Sequence, residues 1–277
     1  MTELQSPPKR PSMLGMLDQV LRGDFTRREV LTAGKLEVPV AALVRLCLLL
    51  GAGYGVCLGC FAVFGGAKQA LLQLVASAVK VPLLFLLTLC VSFPSLYVFA
   101  ALQRLPLDFR NTLKLMLLAI VIHLTVIASL GPVFAFFAAS TTSYPFLLLM
   151  NVAIFAIGGL LGLMVLRRAT REMFLPAGPA RPAEPVAPSP EAPAEPSSPA
   201  ERLPPLPPSL RLANQAAEQA RRLLGVWCVV YGIVGAQMGW LLRPFLGSPA
   251  AEFEWFRARD GNFLTALLNT IAALFGR

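Results

Sequence analysis

Five long runs of apolar residues constrain this chain more than any other feature. They cover 46–66, 81–102, 115–137, 145–166 and 223–242, and none contains an aspartate or a glutamate. A run of about 20 apolar residues, rising 1.5 Å per residue, crosses a hydrocarbon layer of roughly 30 Å. Charged residues make up 14% of the chain, against about 25% in soluble domains. The sequence therefore predicts an all-α, polytopic transmembrane bundle of about five spans.

The distribution of basic residues predicts the orientation of these spans. With a cytoplasmic N-terminus, eighteen of the 24 lysines and arginines fall on the cytoplasmic side and six on the opposite side. Lysine and arginine in short loops favour the cytoplasm, so we expect the N-terminus inside and the C-terminus outside. The net charge of +9 is then explained by cytoplasmic loops, and we expect no nucleic-acid partner.

The segments outside the runs divide the chain into four parts. Residues 1–45 form a cytoplasmic segment, in which PSMLGMLDQVLRGD predicts an interfacial amphipathic helix. Residues 46–168 form a four-span bundle, and 169–208 form a Pro/Ala-rich cytoplasmic linker whose composition predicts disorder. Residues 209–277 comprise a helix capped by Ser209, the fifth span and a C-terminal amphipathic helix, either interfacial or re-entrant.

Small residues inside the spans predict where helices pack closely. Lipid gives apolar helices no hydrophobic reason to associate, so contact at small residues takes its place. In the fifth span Gly225, Cys228, Gly232, Gly235 and Gly239 recur at intervals of three and four residues, which indicates a packing stripe rather than a ligand loop. The glycines we expect to pack are Gly51, Gly55, Gly59, Gly158, Gly162, Gly232, Gly235 and Gly239.

Two polar side chains in the spans are candidates for a pathway. His123 is the only histidine and lies in the third span, where an ionisable group raises the question of function. Without a carboxylate in any span, a neutral imidazole bonded to a hydroxyl, an amide or a backbone carbonyl is the favoured interpretation, and a proton relay the alternative. Gln237 projects away from Gly239, so we expect protein on both sides of the fifth span.

Other residues in the spans have structural interpretations. Trp227 and Trp240 are expected to anchor the two ends of the fifth span at the membrane interfaces. Pro244 is expected to end that helix. Pro94 and Pro132 are expected to interrupt the second span and bend the third.

The sequence lacks the catalytic motifs of metalloproteases, ATPases and hydrolases. It has no HExxH, no Walker A sequence and no pair of carboxylates within the membrane. Cys57 and Cys60 have CxxC spacing but no second pair and no nearby histidine. We therefore expect no enzymatic activity, no catalytic or metal-ligating residues and no cofactor.

The stretches SFPSLYVF (92–99) and GAQMGWLLRPFLGSP (235–249) resemble uncharacterised bacterial multi-span inner-membrane proteins. The likeness covers the second to fifth spans, and the number of spans is similar to that of Yip1-like proteins. The long connection between the fourth and fifth spans departs from the Yip1-like pattern, so no functional residue is carried over. The resemblance and the Ala/Pro/Arg-rich composition imply a bacterial inner membrane.

Two functions are compatible with these features. A non-enzymatic scaffold or interaction protein is favoured by the glycine ladders and by the absence of catalytic groups. Its partners would be the lipid bilayer and either further copies of the chain or another membrane protein. A solute or ion transporter or channel subunit is the alternative, based on the prolines within the spans and on His123 and Gln237.

Overall fold

In the computed structural model, the described residues are 12–26, 38–102, 108–174, 208–247, 253–256 and 261–275, and within them every regular element is helical. The linker predicted at 169–208 lies mostly outside this part of the chain. The α-helices are α1 (Met13–Arg22), α2 (Val40–Phe64), α3 (Ala70–Leu102), α4 (Phe109–Ser140), α5 (Tyr144–Phe174), α6 (Pro208–Leu242) and α7 (Phe263–Phe275), with a short 3-10 turn at Asp24–Thr26.

Five of these helices, α2 to α6, are long and apolar enough to cross a membrane. They contain the five apolar runs of the sequence, so the predicted polytopic helical bundle is confirmed. The chain is an integral membrane protein.

The N-terminal amphipathic segment forms α1, and its ends follow the capping rules. The Ser12 hydroxyl accepts a hydrogen bond from the Gly15 amide, and Gly23 ends the helix with a left-handed φ of 74°. Asp18 and Arg22 pair on the exposed face at 2.8 Å. Met16 and Val20 are buried in the same core cluster as the spanning helices. The helix therefore docks on the bundle through its apolar face.

The tightest contact in the bundle joins α2 to α3. A Cβ atom added to Gly55 would lie 2.3 Å from the carbonyl oxygen of Ser77, and one added to Gly59 would lie 2.5 Å from the Cα of Leu74. The same atom on Gly51 would lie 2.9 Å from Pro82. Only glycine lets the two backbones approach this closely. The ladder of Gly51, Gly55 and Gly59 thus fixes the antiparallel register of α2 against α3.

Two expectations about helix ends and breaks were wrong. Helix α3 continues through Pro94, so this proline does not interrupt the second span. Pro132 also lies inside a continuous helix, α4, and the bend expected there stays a prediction. Helix α6 begins at Pro208, so Ser209 lies inside the helix rather than capping it. Proline suits the first turn of a helix, where its missing N–H would have no partner in any case.

Helices α5 and α6 lie at the edge of the bundle. In α2, α3 and α4, half of the residues in the most apolar stretch are buried. In α5 only 22% of that stretch is buried, and in α6 only 17%. Helix α6 packs on α3 and α5, and the short α7 packs on α5 and α6. A large part of the α6 surface is therefore exposed at the level of the spanning helices.

Candidate functional site: a buried polar row and an exposed helix face

Three polar side chains lie in a row on one face of α3. Gln73, Ser77 and Lys80 are separated by four and three residues, which places them on the same side of a helix. All three are buried, and Lys80 is 2% exposed. The apolar run 81–102 begins just after Lys80, but α3 begins at Ala70 and carries Lys80 into the bundle. We call these residues the polar row.

The contacts of α2 give the level of Lys80 within the bundle. Gly51 lies opposite Pro82, and Gly55 lies opposite Ser77. Lys80 is therefore level with the middle of α2, which extends from Val40 to Phe64. An ammonium group at this level is costly unless the protein supplies its hydrogen-bond partners.

The partners come from a segment that follows α6. The helix ends at Leu242, and residues 243–247, which we call the strap, continue without helical structure. Helix α6 ends near the level of Gly51, and from there α2 continues for about 20 Å to Phe64, at 1.5 Å per residue. The strap runs alongside this part of α2 without forming a helix. At its end, Gly247 packs between Ala62 of α2 and Gln73 of α3. Non-helical backbone is tolerated at such a level where protein surrounds it.

The polar row satisfies the carbonyl groups of the strap. Lys80 Nζ donates to the Pro244 oxygen at 3.2 Å, and the Ser77 hydroxyl donates to the Phe245 oxygen at 2.6 Å. Gln73 Nε2 donates to the same two oxygens at 3.3 and 3.2 Å. The backbone carbonyls of Pro244 and Phe245, which have no helical partner because α6 has ended, are thus paired with side chains of α3.

A second piece of chain completes the surroundings of Lys80. Its Nζ also donates to the carbonyl oxygen of Trp255. The ring centroids of Trp255 and Phe256 lie 5.8 and 5.4 Å from the same nitrogen, within the range of cation–π attraction. Among the described residues, Lys80 forms no salt bridge. Carbonyl dipoles and aromatic faces therefore replace a carboxylate as the partners of the ammonium.

This arrangement is that of a clamp. Carbonyl oxygens at a helix break can coordinate a cation in transporters. Here the cation in contact with the Pro244 and Trp255 oxygens is the covalently attached ammonium of Lys80. The polar row consequently ties Pro244, Phe245 and Trp255 to α3.

His123 lies apart from the polar row, in an aromatic cluster. Its ring centroid is 4.7 Å from that of Phe85 and 6.1 Å from that of Phe155. A Cβ on Gly158 would lie 2.5 Å from His123 Cδ2. His123 Nε2 is buried and forms no hydrogen bond with the described residues. The imidazole is enclosed by side chains and by the backbone of α5.

Gln237 is exposed on α6. Protein on both sides of this helix, as expected, would have to come from a second chain or from residues outside the described part. Gln237 lies between Gly235, which faces Thr88, and Gly239, which faces Leu84, so it is level with the middle of α3. The exposed residues on this side of α6 are Val226, Val229, Gly232, Ile233 and Gln237. We call this surface the outer face of α6.

The predicted glycine stripe of α6 differs from the ladder of α2. Cβ atoms on Gly225 and Gly232 would meet no heavy atom within 4 Å. Those on Gly235 and Gly239 would meet side chains of α3 at the ordinary contact distances of 3.5 and 4.0 Å. Within the chain, the stripe is therefore not a surface of close backbone contact. The contact of α5 with α4 is closer, because a Cβ atom added to Gly162 would lie 3.0 Å from the Ala119 carbonyl oxygen.

The two tryptophans of α6 have internal partners. Trp227 is 4% exposed, and its Nε1 donates to the Ser92 carbonyl oxygen at 2.9 Å. Trp240 Nε1 donates to Gly261, and the Arg243 guanidinium lies 3.5 Å from the centre of the Trp240 ring. The interpretation of Trp227 as an interface anchor was wrong, because this indole packs against α3.

The sequence contains a signal for the polar row that the analysis missed. Residues 70–79 are apolar apart from Gln73 and Ser77, and the two share a helical face with Lys80. We took the lysine as the boundary of a span. The spacing of four and three residues would have indicated a helix whose polar stripe points towards protein.

In comparisons with protein-family models, curated proteins and solved structures, no match to the chain is found. The resemblance to bacterial inner-membrane proteins therefore stays a prediction.

Proposed function

We propose that this integral membrane protein is a non-enzymatic scaffold of a bacterial inner membrane, with its N-terminus in the cytoplasm. In this proposal, copies of the chain associate through the outer face of α6. The exposure of Gln237 on that face carries the proposal.

An amide on a lipid-facing surface favours association. Removing an amide from water without a hydrogen-bond partner costs about 1–3 kcal/mol on scales derived from protein variants. Interhelical hydrogen bonds of polar side chains in membranes contribute about 0.6–2 kcal/mol. A helix that carries Gln237 among Val226, Val229 and Ile233 is thus more stable with a polar partner beside it than with lipid alone.

The chemistry of the outer face suits a second copy. A glutamine amide both donates and accepts hydrogen bonds, so two Gln237 side chains related by a two-fold axis can satisfy each other. A Cβ atom added to Gly232 would meet no described residue within 4 Å, so this position leaves room for the backbone of another helix. The same glycine and glutamine would occur on both sides of such an interface.

The rest of the bundle supports a static role. The α2–α3 ladder brings backbones into contact, and Lys80 ties the segment after α6 to α3. Both features hold the C-terminal end of α6 in a fixed position. A scaffold needs such a platform because its partner must meet a defined surface.

A solute or ion pathway is the second candidate. The end of α6 at Leu242, level with the middle of α2, favours it because discontinuous helices form substrate sites in transporters. The carbonyls of the strap contact Gln73, Ser77 and Lys80, and His123 is enclosed by aromatic rings. Ion-dependent stability would support this candidate: Na⁺ or K⁺ at constant ionic strength would raise the melting temperature of the Lys80→Ala variant but not that of the wild type.

The oligomeric state of the purified chain tests the scaffold proposal. Light scattering in mild detergent gives the protein mass without the detergent, and we expect a multiple of 29.8 kDa. Gln237→Leu should shift the equilibrium towards the monomer, whereas Gln237→Asn should retain more of the oligomer because it keeps the amide. A monomeric wild type across micromolar concentrations, in detergent and in lipid nanodiscs, would contradict the proposal.

A further inference from the structure

A cleft opens between α5 and α6 at the end of the bundle that holds the C-terminus of α5. It is a shallow groove that encloses only about 10 Å³, and it is lined by Leu163, Leu166, Arg167, Arg221, Leu224 and Cys228. Leu163, Leu166, Leu224 and Cys228 form an apolar slot, and the two arginines lie at its end. The proposed interface involves a different surface, the outer face of α6.

The two arginines lie where the apolar runs of their helices end. Arg167 directly follows the run 145–166, and Arg221 directly precedes Leu223, where the fifth run begins. Because α5 and α6 are antiparallel neighbours, the two guanidinium groups come to the same end of the bundle. At this level a spanning helix passes from hydrocarbon into the phosphate layer of a bilayer.

The charge around the cleft is positive. Arg221 and Arg222 both pair with Glu218, which is the acidic residue of this cluster. Arg167 and Arg168 form no salt bridge with the described residues. Among the described side chains at this end of α5 and α6, four cationic groups therefore accompany one carboxylate, and no described carboxylate pairs with Arg167. Its guanidinium donors can serve another acceptor.

We propose that this cleft binds an anionic phospholipid. The phosphate accepts hydrogen bonds from the guanidinium groups of Arg167 and Arg221, and one acyl chain lies along Leu163, Leu166, Leu224 and Cys228. Basic pockets between spanning helices bind the head groups of acidic lipids. The apolar slot below the arginines favours a lipid over a free phosphate ion, because a free ion would leave that surface uncovered.

Lipid binding to the purified full-length chain tests this proposal. Native mass spectrometry would count the molecules of phosphatidylglycerol or phosphatidylcholine that remain bound, and thermal unfolding would be followed with each lipid and with inorganic phosphate. We expect phosphatidylglycerol to bind and to raise the melting temperature more than phosphatidylcholine, and inorganic phosphate to have no effect at the same ionic strength.

A pair of double variants separates the cleft from general electrostatics. Arg167→Gln with Arg221→Gln removes two charges that line the cleft, and Arg168→Gln with Arg222→Gln removes two charges beside it. At about 1 kcal/mol per arginine, the first pair should weaken phosphatidylglycerol binding by roughly thirtyfold. The second pair should retain more affinity, because its arginines do not line the cleft.

A third variant examines the slot itself. Cys228→Trp fills the apolar part of the cleft without changing any charge, and we expect it to reduce phosphatidylglycerol retention while the fold persists by circular dichroism. Equal losses in the two double variants would overturn the proposal, as would equal binding of both lipids. Stabilisation by inorganic phosphate alone would identify a simple anion site and would also overturn it.

Discussion

Lys80 Nζ lies 3.2 Å from the carbonyl oxygen of Pro244, a residue 164 positions further along the chain. This hydrogen bond joins the middle of the second spanning helix to the point where the fifth one ends. Together with the bond from Lys80 to the Trp255 carbonyl, it explains how α6 can end inside the bundle and be followed by non-helical chain.

The Lys80→Met substitution tests the clamp. It keeps the unbranched stem but removes the ammonium, which leaves the Pro244 and Trp255 carbonyls without this donor. The Pro244 oxygen keeps its bond from Gln73, whereas the Trp255 oxygen loses its donor. An unsatisfied buried acceptor costs about 1–3 kcal/mol, so we expect a clear loss of thermal stability and faster proteolysis in residues 248–262. Lys68→Met is the control, since Lys68 is exposed in the turn between α2 and α3. Equal melting temperatures for the two variants would rule out the clamp.

The Gly55→Ala substitution tests the contact between α2 and α3. The new methyl group would lie 2.3 Å from the Ser77 carbonyl oxygen, so the helices must separate. Overpacking of this kind costs about 1–3 kcal/mol, and thermal unfolding in detergent would measure it. Gly53→Ala is a matched control on the same helix, because its methyl group would meet no atom within 4 Å. A Gly55→Ala variant as stable as Gly53→Ala would show that the register of the two helices is different.

The Gly235→Ala and Gly239→Ala substitutions should be mild. Their methyl groups would contact α3 at 3.5 and 4.0 Å, which are ordinary van der Waals distances. Alanine also favours a helix by about 1 kcal/mol over glycine in soluble hosts. We therefore expect melting temperatures equal to the wild type or slightly higher. A loss comparable to that of Gly55→Ala would mean that α6 lies closer to α3 than described here.

The hydrogen bond between Tyr54 and Asn151 joins α2 to α5. The tyrosine hydroxyl donates to Asn151 Oδ1 at 2.8 Å, next to the aromatic cluster that contains His123. A double-mutant cycle with Tyr54→Phe and Asn151→Leu should give a coupling energy of about 0.6–2 kcal/mol. Additive effects of the two substitutions would show that the side chains do not interact.

The apolar runs were sufficient to predict the number and order of the spans. Each run is long enough for hydrocarbon, and the energy of transferring it to lipid does not depend on what its neighbours are. The amphipathic helix α1 was also predicted, because its pattern of apolar residues is local to Met13–Arg22. Local rules therefore recover the elements of this fold.

The polar row was not predicted because its partners are distant in sequence. A lysine at the edge of an apolar run normally marks the end of a span, and the carbonyls that receive Lys80 lie 164 and 175 residues away. The same reason applies to Trp227, whose bond to Ser92 replaces contact with the membrane interface. The expected protein neighbour of Gln237 is absent from the described residues of its own chain, and whether another chain supplies it stays a prediction.

Cysteine cross-linking in native membranes tests the scaffold proposal most directly. In a background with the five native cysteines replaced by alanine, Gly232→Cys and Ile233→Cys place thiols on the outer face of α6 and keep the Gln237 amide, and Gly53→Cys places one on an exposed position of α2 as the control. We predict that oxidation gives a dimer of twice 29.8 kDa from the two α6 variants and none from the control. Exclusively monomeric α6 variants, or equal cross-linking at position 53, would contradict association through the outer face of α6.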